Sequence, residues 1–551
     1  MSGSATPDPR CEMETPQTLD ARMSASKNSI APQPESSFNF ADFLIRANLD
    51  NLDRTAYLDD RGSMTYEELF NQMRRFAAAL IAAGVRREER IFLLSEDCRE
   101  WPIAFLGSMY AGIVPVAANT LLTTHDYAYM ISHSRSQLAV VSETLLPRLQ
   151  AALQESHHEV RMIVVIGKAD GALSDIHEFS EWALSAAPLT NSAATMRTDP
   201  GFWLYSSGTT GPPKGTVHTH ENPYWVAEQY GKRVLGLSQQ DVCFSAAKLF
   251  FAYGLGNSLI FPLSVGARSV LMAERPTPNA IFQRWRKHRV TVFFGAPTGY
   301  AGLLASPELR ESDTTALRLC SSAGEALPAD LGQRLAERLG VDVLDGLGST
   351  EMLHIFLSNS PARNIYGTSG WPVPGYEVEL RDEAGKPSPD GEVGDMYVNG
   401  PSAALLYWGE REKSAETFQG RWIKTGDKYV RNSDGSHTYV GRCNEVFKVS
   451  GMYVSPFEVE AALVEHPAVR EAAVVGVPDQ IGLIKTKAFV VLETGMSVTY
   501  TELKRFVKTR LAPYKYPRSI DFVDALPRTA TGKIRRYQLR DAVSRDFFDL
   551  P

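Results

Sequence analysis

Tyr205-Ser206-Ser207-Gly208-Thr209-Thr210-Gly211-Pro212-Pro213-Lys214-Gly215 follows directly on the apolar residues Phe202–Leu204. The apolar run reads as the end of a strand. The segment after it reads as a loop that must bring its backbone close to a ligand. Three glycines permit that approach and tolerate positive φ. The hydroxyls of Ser206, Ser207, Thr209 and Thr210 and the neighbouring N–H groups can converge on phosphate oxygens, while Lys214 adds a mobile positive charge. No Gly-Lys-Ser/Thr stands at Walker A spacing, which disfavours a P-loop NTPase. A polar surface loop is the bland alternative, but hydroxyls, glycines and a lysine rarely coincide this densely without a polyanion.

Helical and strand patterns alternate on both sides of this loop. Thr65-Tyr66-Glu67-Glu68 is a capping box. Behind it Leu69, Met73, Phe76, Leu80 and Ile81 recur at helical spacing, and Gly84 marks the stop. Ile91–Leu94 and Met162–Ile166 read as buried strands. The alternation runs to about residue 345 and argues for parallel strands with helices on both faces, so the expected fold is α/β, a large N-terminal domain of doubly wound mixed sheets. From about Gly370 to Tyr439 short alternating stretches separated by Gly, Pro and Asp predict a small antiparallel, barrel-like β unit. After Gly441 the pattern becomes α+β, with helices over Pro456–Glu465 and Thr501–Leu511 and strands over Ala472–Val477 and Ala488–Leu492. The expected organisation is a disordered tail (1–37), a large N-terminal domain (38–441, with the β-rich unit at about 370–440) and a smaller mobile C-terminal domain (442–551).

The 551 residues are 44% hydrophobic and 22% charged, which is globular composition. The formal charge of −7 argues against a general nucleic-acid binder. Locally, Thr501–Arg540 carries 11 Lys+Arg against 3 Asp+Glu, a stretch that could face an anionic ligand or simply solvent. Cys11, Cys98, Cys243, Cys320 and Cys443 are scattered and form no CxxC, which fits neither a disulfide framework nor a zinc site and suits a reducing compartment. No signal-peptide pattern is visible, and the uncharged windows Trp101–Thr124 and Leu249–Ala267 contain Gly, Pro and Asn. They read as buried helix, turn and strand, so a soluble cytoplasmic protein without membrane or nucleic-acid partners is expected, as a monomer or homodimer.

Tyr205–Gly215 resembles the phosphate loop of the adenylate-forming superfamily, which includes acyl-CoA ligases, peptide-synthetase adenylation domains and luciferases. Further segments resemble that family's motifs, in its order. They are Ser322-Ala323-Gly324-Glu325 (adenine-side turn), Gly348-Ser349-Thr350-Glu351, Thr425-Gly426-Asp427 (ribose), Gly441-Arg442 with Lys448-Val449-Ser450-Gly451 (hinge), and Pro527-Arg528-Thr529-Ala530-Thr531-Gly532-Lys533. The resemblance implies ATP, Mg²⁺ and coenzyme A as reactants or cofactors. It implies a carboxylate that attacks the α-phosphate and an acyl group that then passes to a thiol.

A carboxylate is already ionised at neutral pH and needs no base. What it needs is relief from the charge of the nucleotide, so the expected parts are cations and N–H donors. By the resemblance, Glu351 ligates Mg²⁺ with the Thr209 and Thr350 hydroxyls near the phosphates. Lys533 reaches the α-phosphate and the reacting carboxylate. Ser206, Ser207, Gly208, Thr210, Gly211 and Lys214 cradle phosphate, Gly324, Glu325, Leu347 and Gly348 border adenine, Asp427 meets the ribose, and Arg442 contacts the ribose or phosphate. Leu347 stands where many relatives carry an aromatic residue. Between half-reactions the C-terminal domain is expected to turn about Asn444, bringing Lys448 and Gly451 to the thiol path, with Lys515 as a candidate for the coenzyme's phosphates.

The acyl pocket is expected between the phosphate loop and Glu351. Lys248–Gly256 mixes aromatic with small residues, as a flat aromatic slot requires. With Met352–Phe356 it resembles the corresponding segments of benzoate-CoA ligases and of their hydroxy- and aminobenzoate relatives. Phe251, Ala252, Tyr253, Gly348, His354 and Ile355 are the implied ring contacts. Tyr253 and His354 either hydrogen-bond a ring substituent or merely pack. Other acyl-CoA ligases, and a catalytically silent nucleotide-binding protein on the same fold, are the competing readings.

Overall fold

The computed structural model describes residues 30–169, 175–206, 212–311, 314–443, 445–449, 452–479, 483–512, 514–528 and 534–548. Ser207, Gly208, Thr209, Thr210, Gly211, Asn444, Gly451 and Lys533 lie outside them.

The chain packs before Phe38. Ala31 is buried, and the Tyr224 hydroxyl donates to the Pro32 carbonyl at 2.7 Å.

The capping box at Thr65 forms as expected. Glu68 N–H donates to Thr65 Oγ1 at 3.2 Å and Thr65 N–H to Glu68 Oε2 at 2.8 Å, opening the helix Tyr66–Ala82. Leu69, Met73, Phe76 and Leu80 are buried, whereas Ile81 is 50% exposed. Ile81 lies about 100° around the helix from Leu80 and so leaves the apolar stripe.

Among the described residues the N-terminal domain holds two large mixed sheets. In the first, Pro200–Ser206, Val114–Ala117, Arg90–Leu94, Ser136–Ser142, Met162–Ile166 and Ile176–Glu178 run parallel. Its other edge is antiparallel: Pro200–Ser206 pairs with Lys214–Thr219, which pairs with Leu406–Tyr407. The phosphate loop is thus the connection of a β-hairpin. The second sheet has a parallel centre, Val343–Gly348, Leu319–Ser322, Val292–Gly295, Val242–Ser245, Arg268–Val270 and Thr55–Asp59. Antiparallel strands border it at both edges.

The helix Glu100–Tyr110 is buried at every position from Trp101 to Tyr110. A helix apolar all round belongs in a protein core as readily as in a membrane, and no described helix is long and apolar enough to cross a membrane. Leu249–Ala267, expected to contain helix, turn and strand, is helical from Ala252 to Val265, with a wide π-helical turn over Gly256–Ile260. The strand begins only at Arg268.

The expected barrel-like unit is, in its strand pairing, an open five-stranded antiparallel sheet: Glu377–Arg381, Val393–Asn399, Trp422–Arg431, then Phe418–Gln419 and His437–Arg442 side by side on the last edge. Beyond Arg442, Val469–Pro478, Ile484–Leu492 and Ser519–Phe522 form a three-stranded sheet. Pro456–Val464 and Tyr500–Lys508 cover it. Val454, Val459, Leu463, Val474, Val490, Leu503 and Val507 give this part a core of its own.

Candidate active site

Glu351 sits on a tight turn that joins Val343–Gly348 to Ile355–Ser358. Leu353 takes φ +64° there, a left-handed conformation unusual for a leucine. Three hydrogen bonds hold the turn. Leu353 N–H reaches Thr350 O at 3.1 Å, Met352 N–H reaches Ser349 Oγ at 3.3 Å, and Ala404 N–H reaches Glu351 O at 2.8 Å. The neighbouring hairpin reaches the same turn through His218, whose Nε2 lies 2.9 Å from Thr350 O and whose Nδ1 lies 3.0 Å from Asn222 Oδ1. Burial lowers the His218 pKa to about 4.

One oxygen of Glu351 accepts a 2.7 Å hydrogen bond from the Tyr407 hydroxyl. Burial and the Glu351 charge raise the pKa of that phenol, keeping it a donor. Lys214 Nζ lies 4.1 Å from the centroid of the same ring. Burial pulls the Lys214 pKa down and nearby Glu351 pushes it up, with a net lowering. Glu351 and Lys214 thus share one tyrosine, which the signature motifs do not include.

No group of three or more His, Cys, Asp or Glu capable of holding a metal occurs among the described residues. A single accessible carboxylate suits Mg²⁺ nonetheless, because that ion keeps waters and is usually held by one or two carboxylates together with substrate phosphates. Glu351 fits that role.

Asp427 and Arg442 stand directly opposite each other on paired strands, with Arg442 Nε 3.2 Å from Asp427 Oδ1. Asp427 is 4% exposed, and its charge raises the pKa of Arg442. Gly324, at φ +93°, follows Leu319–Ser322, and Glu325 accepts from the Thr298 hydroxyl at 2.8 Å. Leu347 lies opposite Leu357. A Cβ on Gly348 would stand 2.6 Å from the His354 carbonyl oxygen. Asp345, buried two residues before Leu347, has its pKa raised by burial to about 8.

His354 is enclosed by Tyr230, Tyr253 and Phe261, with centroids 5.5, 5.3 and 4.6 Å away. Its Nε2 faces Tyr253 O at 3.3 Å and Asn257 Oδ1 at 3.2 Å. Both are acceptors, so Nε2 carries the proton. Nδ1 is a buried acceptor with no hydrogen-bond partner among the described residues. Burial lowers the pKa of the ring to about 3, which keeps it neutral. The Tyr253 hydroxyl is engaged with Ser321 O and Oγ, both at 3.1 Å. Of the two polar groups expected at the ring, His354 retains an unused atom. Ile355 is buried, while Phe251 and Ala252 are partly buried at the start of the helix Ala252–Leu255.

Lys515 is bound to both oxygens of Glu458, at 2.7 and 2.6 Å. Arg510, Arg528 and Arg536 pair with Glu465, Glu471 and Glu460. Much of the basic excess of Thr501–Arg540 is therefore matched within its own domain, and Lys515 is not a free cation awaiting phosphate. Lys448 lies 2.7 Å from Glu383, in the turn that follows the strand Glu377–Arg381.

Sequence reasoning did not find Tyr407, His218, Asn257 or Ser321. Tyr407 falls in a short apolar stretch and His218 in a strand alternation, and neither pattern carries a chemical signal.

Residues 45–408 match the AMP-binding enzyme family, and residues 458–533 match the AMP-binding enzyme C-terminal domain. The chain belongs to the AMP-binding enzymes. It is 50% identical over 512 residues to benzoate–CoA ligase of Thauera aromatica, an alignment covering 92% of this chain and 96% of that one. The crystal structure of a benzoate CoA ligase from Burkholderia xenovorans LB400 is 55% identical, with a TM-score of 0.84, 91% of this chain covered and 100% of that one. An anthranilate CoA ligase crystallised with anthranoyl-AMP is 40% identical, with a TM-score of 0.89 and coverage of 93% and 98%.

Proposed function

We propose that this protein is an AMP-forming aryl-CoA ligase. It activates benzoate with ATP to an acyl-adenylate, releases pyrophosphate, and transfers the acyl group to coenzyme A to yield benzoyl-CoA and AMP. The observation that carries the substrate reading is a neutral, buried imidazole, His354, walled by Tyr230, Tyr253 and Phe261, which would form the floor of the acyl pocket. Such a floor accepts an uncharged ring, and a neutral imidazole offers no cation to a second carboxylate.

In the first step the substrate carboxylate attacks the α-phosphorus, a P–O bond forms, and pyrophosphate leaves with the bonding electrons. Glu351 would hold Mg²⁺, which supplies positive charge to the phosphates, and Thr209 with the rest of the phosphate loop would donate hydrogen bonds to them. Lys214 and Lys533 offset the charge gathering where two anions meet. Asp427 accepts from the ribose hydroxyls. In the second step the thiol attacks the acyl carbon and AMP departs. The C-terminal domain turns at Asn444 and carries Lys533 away, so that Lys448 and Gly451 border the thiol. Intact Glu351, Asp427 and Lys533 speak against a silent nucleotide-binding protein.

The unpartnered Nδ1 of His354 supports a second reading, a hydroxy- or aminobenzoate ligase in which a ring donor satisfies that acceptor. A panel of benzoate, hydroxybenzoates, aminobenzoates and short aliphatic acids, ranked by kcat/KM, separates the two. Benzoate leading supports the first reading; a donor-substituted ring leading replaces it with the second. Aliphatic acids leading would overturn both.

A further inference from the structure

Tyr407 is held on every side. Its backbone is paired with Thr216 of the phosphate hairpin. Its N–H donates to Ser414 Oγ at 3.0 Å, and its carbonyl accepts from the same hydroxyl at 3.2 Å. Phe418 packs against the ring edge-to-face at 5.2 Å, and the residue is 3% exposed. A side chain clamped this firmly is a fixed reference point for whatever it touches.

It touches both signs of charge in the phosphate site, Glu351 through its hydroxyl and Lys214 through its ring face. Among the described residues its hydroxyl is the one hydrogen-bond partner of the Glu351 carboxylate. The second oxygen, Oε2, has no hydrogen-bond partner among the described residues and is not fully enclosed. A free carboxylate on a turn rotates among several rotamers. Anchoring Oε1 removes that freedom and leaves Oε2 presented in one direction. Mg²⁺ demands near-octahedral geometry at short distances, so the orientation of its ligand matters more than for a larger ion.

We propose that Tyr407 is a positioning residue for adenylate formation. Its hydroxyl fixes Glu351 for the metal–polyphosphate complex, and its ring face holds the Lys214 ammonium beside the same phosphates. The inference rests on the assignment of Glu351 to that complex. Thioester formation involves no triphosphate and does not depend on Tyr407.

Tyr407→Phe in the full chain removes the hydroxyl and keeps the ring. The readouts are Mn²⁺ binding by electron paramagnetic resonance with a non-hydrolysable ATP analogue, pyrophosphate release with benzoate, thioester formation from supplied benzoyl-adenylate, and Tm. A group that orients a metal ligand typically affects metal affinity or activity by ~10–100-fold, and a loss of that order is expected in both Mn²⁺ affinity and pyrophosphate release. The thioester half-reaction and Tm stay as in the parent protein. Tyr407→Leu, which also removes the ring face, should weaken nucleotide binding further. A Leu variant no worse than the Phe variant would strip the Lys214 part from the proposal. Unchanged Mn²⁺ affinity and pyrophosphate release in the Phe variant would overturn it, as would equal losses in both half-reactions together with a lower Tm. Glu351→Gln is measured alongside. If that change leaves Mn²⁺ binding intact, the assignment of Glu351 itself fails, an outcome distinct from failure at Tyr407 alone.

Discussion

Gly256 and His354 meet so closely that a Cβ on the glycine would stand 2.2 Å from Cδ2 of the imidazole and 2.5 Å from Nε2. The glycine lies on the π-helical turn Gly256–Ile260, and the absence of a side chain there makes room for the imidazole that is proposed above as the floor of the acyl pocket. Gly256→Ala must displace a ring already enclosed by Tyr230, Tyr253 and Phe261. Overpacking of a closed core costs ~1–3 kcal/mol. The expected result is a lower Tm with a raised KM for benzoate and little change in KM for ATP. Thermal unfolding and steady-state kinetics check it, and a silent substitution would mean the floor is looser than these distances require.

Acid stability follows from the buried imidazoles. Burial lowers the pKa of His218, His220 and His437 to about 4 and of His354 to about 3, against an ordinary value of 6.5. Between about pH 4 and 6.5 each binds a proton when unfolded but not when folded, so each adds stability as pH rises. Asp97 and Asp345 act in the opposite sense, because burial raises them from 3.8 to about 6 and about 8. They hold protons in the fold that the unfolded chain has released. Four imidazoles against two carboxyls leave the unfolded chain with the larger proton uptake below about pH 6. Stability should therefore rise on the order of 2 kcal/mol per pH unit between about pH 4.5 and 6. Above about pH 7, where the unfolded imidazoles have released most of their protons, Asp345 gives a shallow decline. Denaturant titrations from pH 4.5 to 8 test this, and a flat profile below pH 6 would contradict it.

The capping box at Thr65 was legible because its partners lie three residues apart, and the six motifs because each is a short run of special residues. The contact between Glu351 and Tyr407 spans 56 positions and belongs to two different strand edges. No local pattern announces it. Leu249–Ala267 was misread for a related reason. A helix buried on all sides has no apolar stripe, so periodicity cannot separate it from a strand. The hairpin around the phosphate loop was hidden because the alternation of elements predicts parallel strands, and an edge reversal leaves no trace in composition. Pairings such as Lys515 with Glu458 decide which charges are available to a ligand, and they depend on tertiary placement alone.

Asp427 offers a direct measure of ribose recognition. It is almost fully buried and faces Arg442 across the strand pair, so its charge is held without the nucleotide. Asp427→Asn keeps the shape but halves the accepting capacity toward a diol. Hydrogen bonds to charged groups are worth about 1.5–3 kcal/mol, which corresponds to a rise of roughly 10–100-fold in KM for ATP. The KM for benzoate should change far less. Equal shifts for both substrates would point to a distorted sheet instead of a lost contact.

In the proposed mechanism the division of labour between domains rests on Lys533, which its resemblance to the family's C-terminal lysine motif assigns to the first half-reaction. An ammonium at the meeting point of carboxylate and α-phosphate stabilises charge that builds up only while the P–O bond forms. Once the adenylate exists that charge has gone with pyrophosphate, and the thiol attacks a neutral acyl carbon. Lys533→Ala should therefore abolish pyrophosphate release with benzoate and largely preserve thioester formation from supplied benzoyl-adenylate. Acetylation of Lys533 removes the same charge and should reproduce the same split. Single-turnover assays of each half-reaction decide the point, because a lysine needed in both steps would lower both rates together.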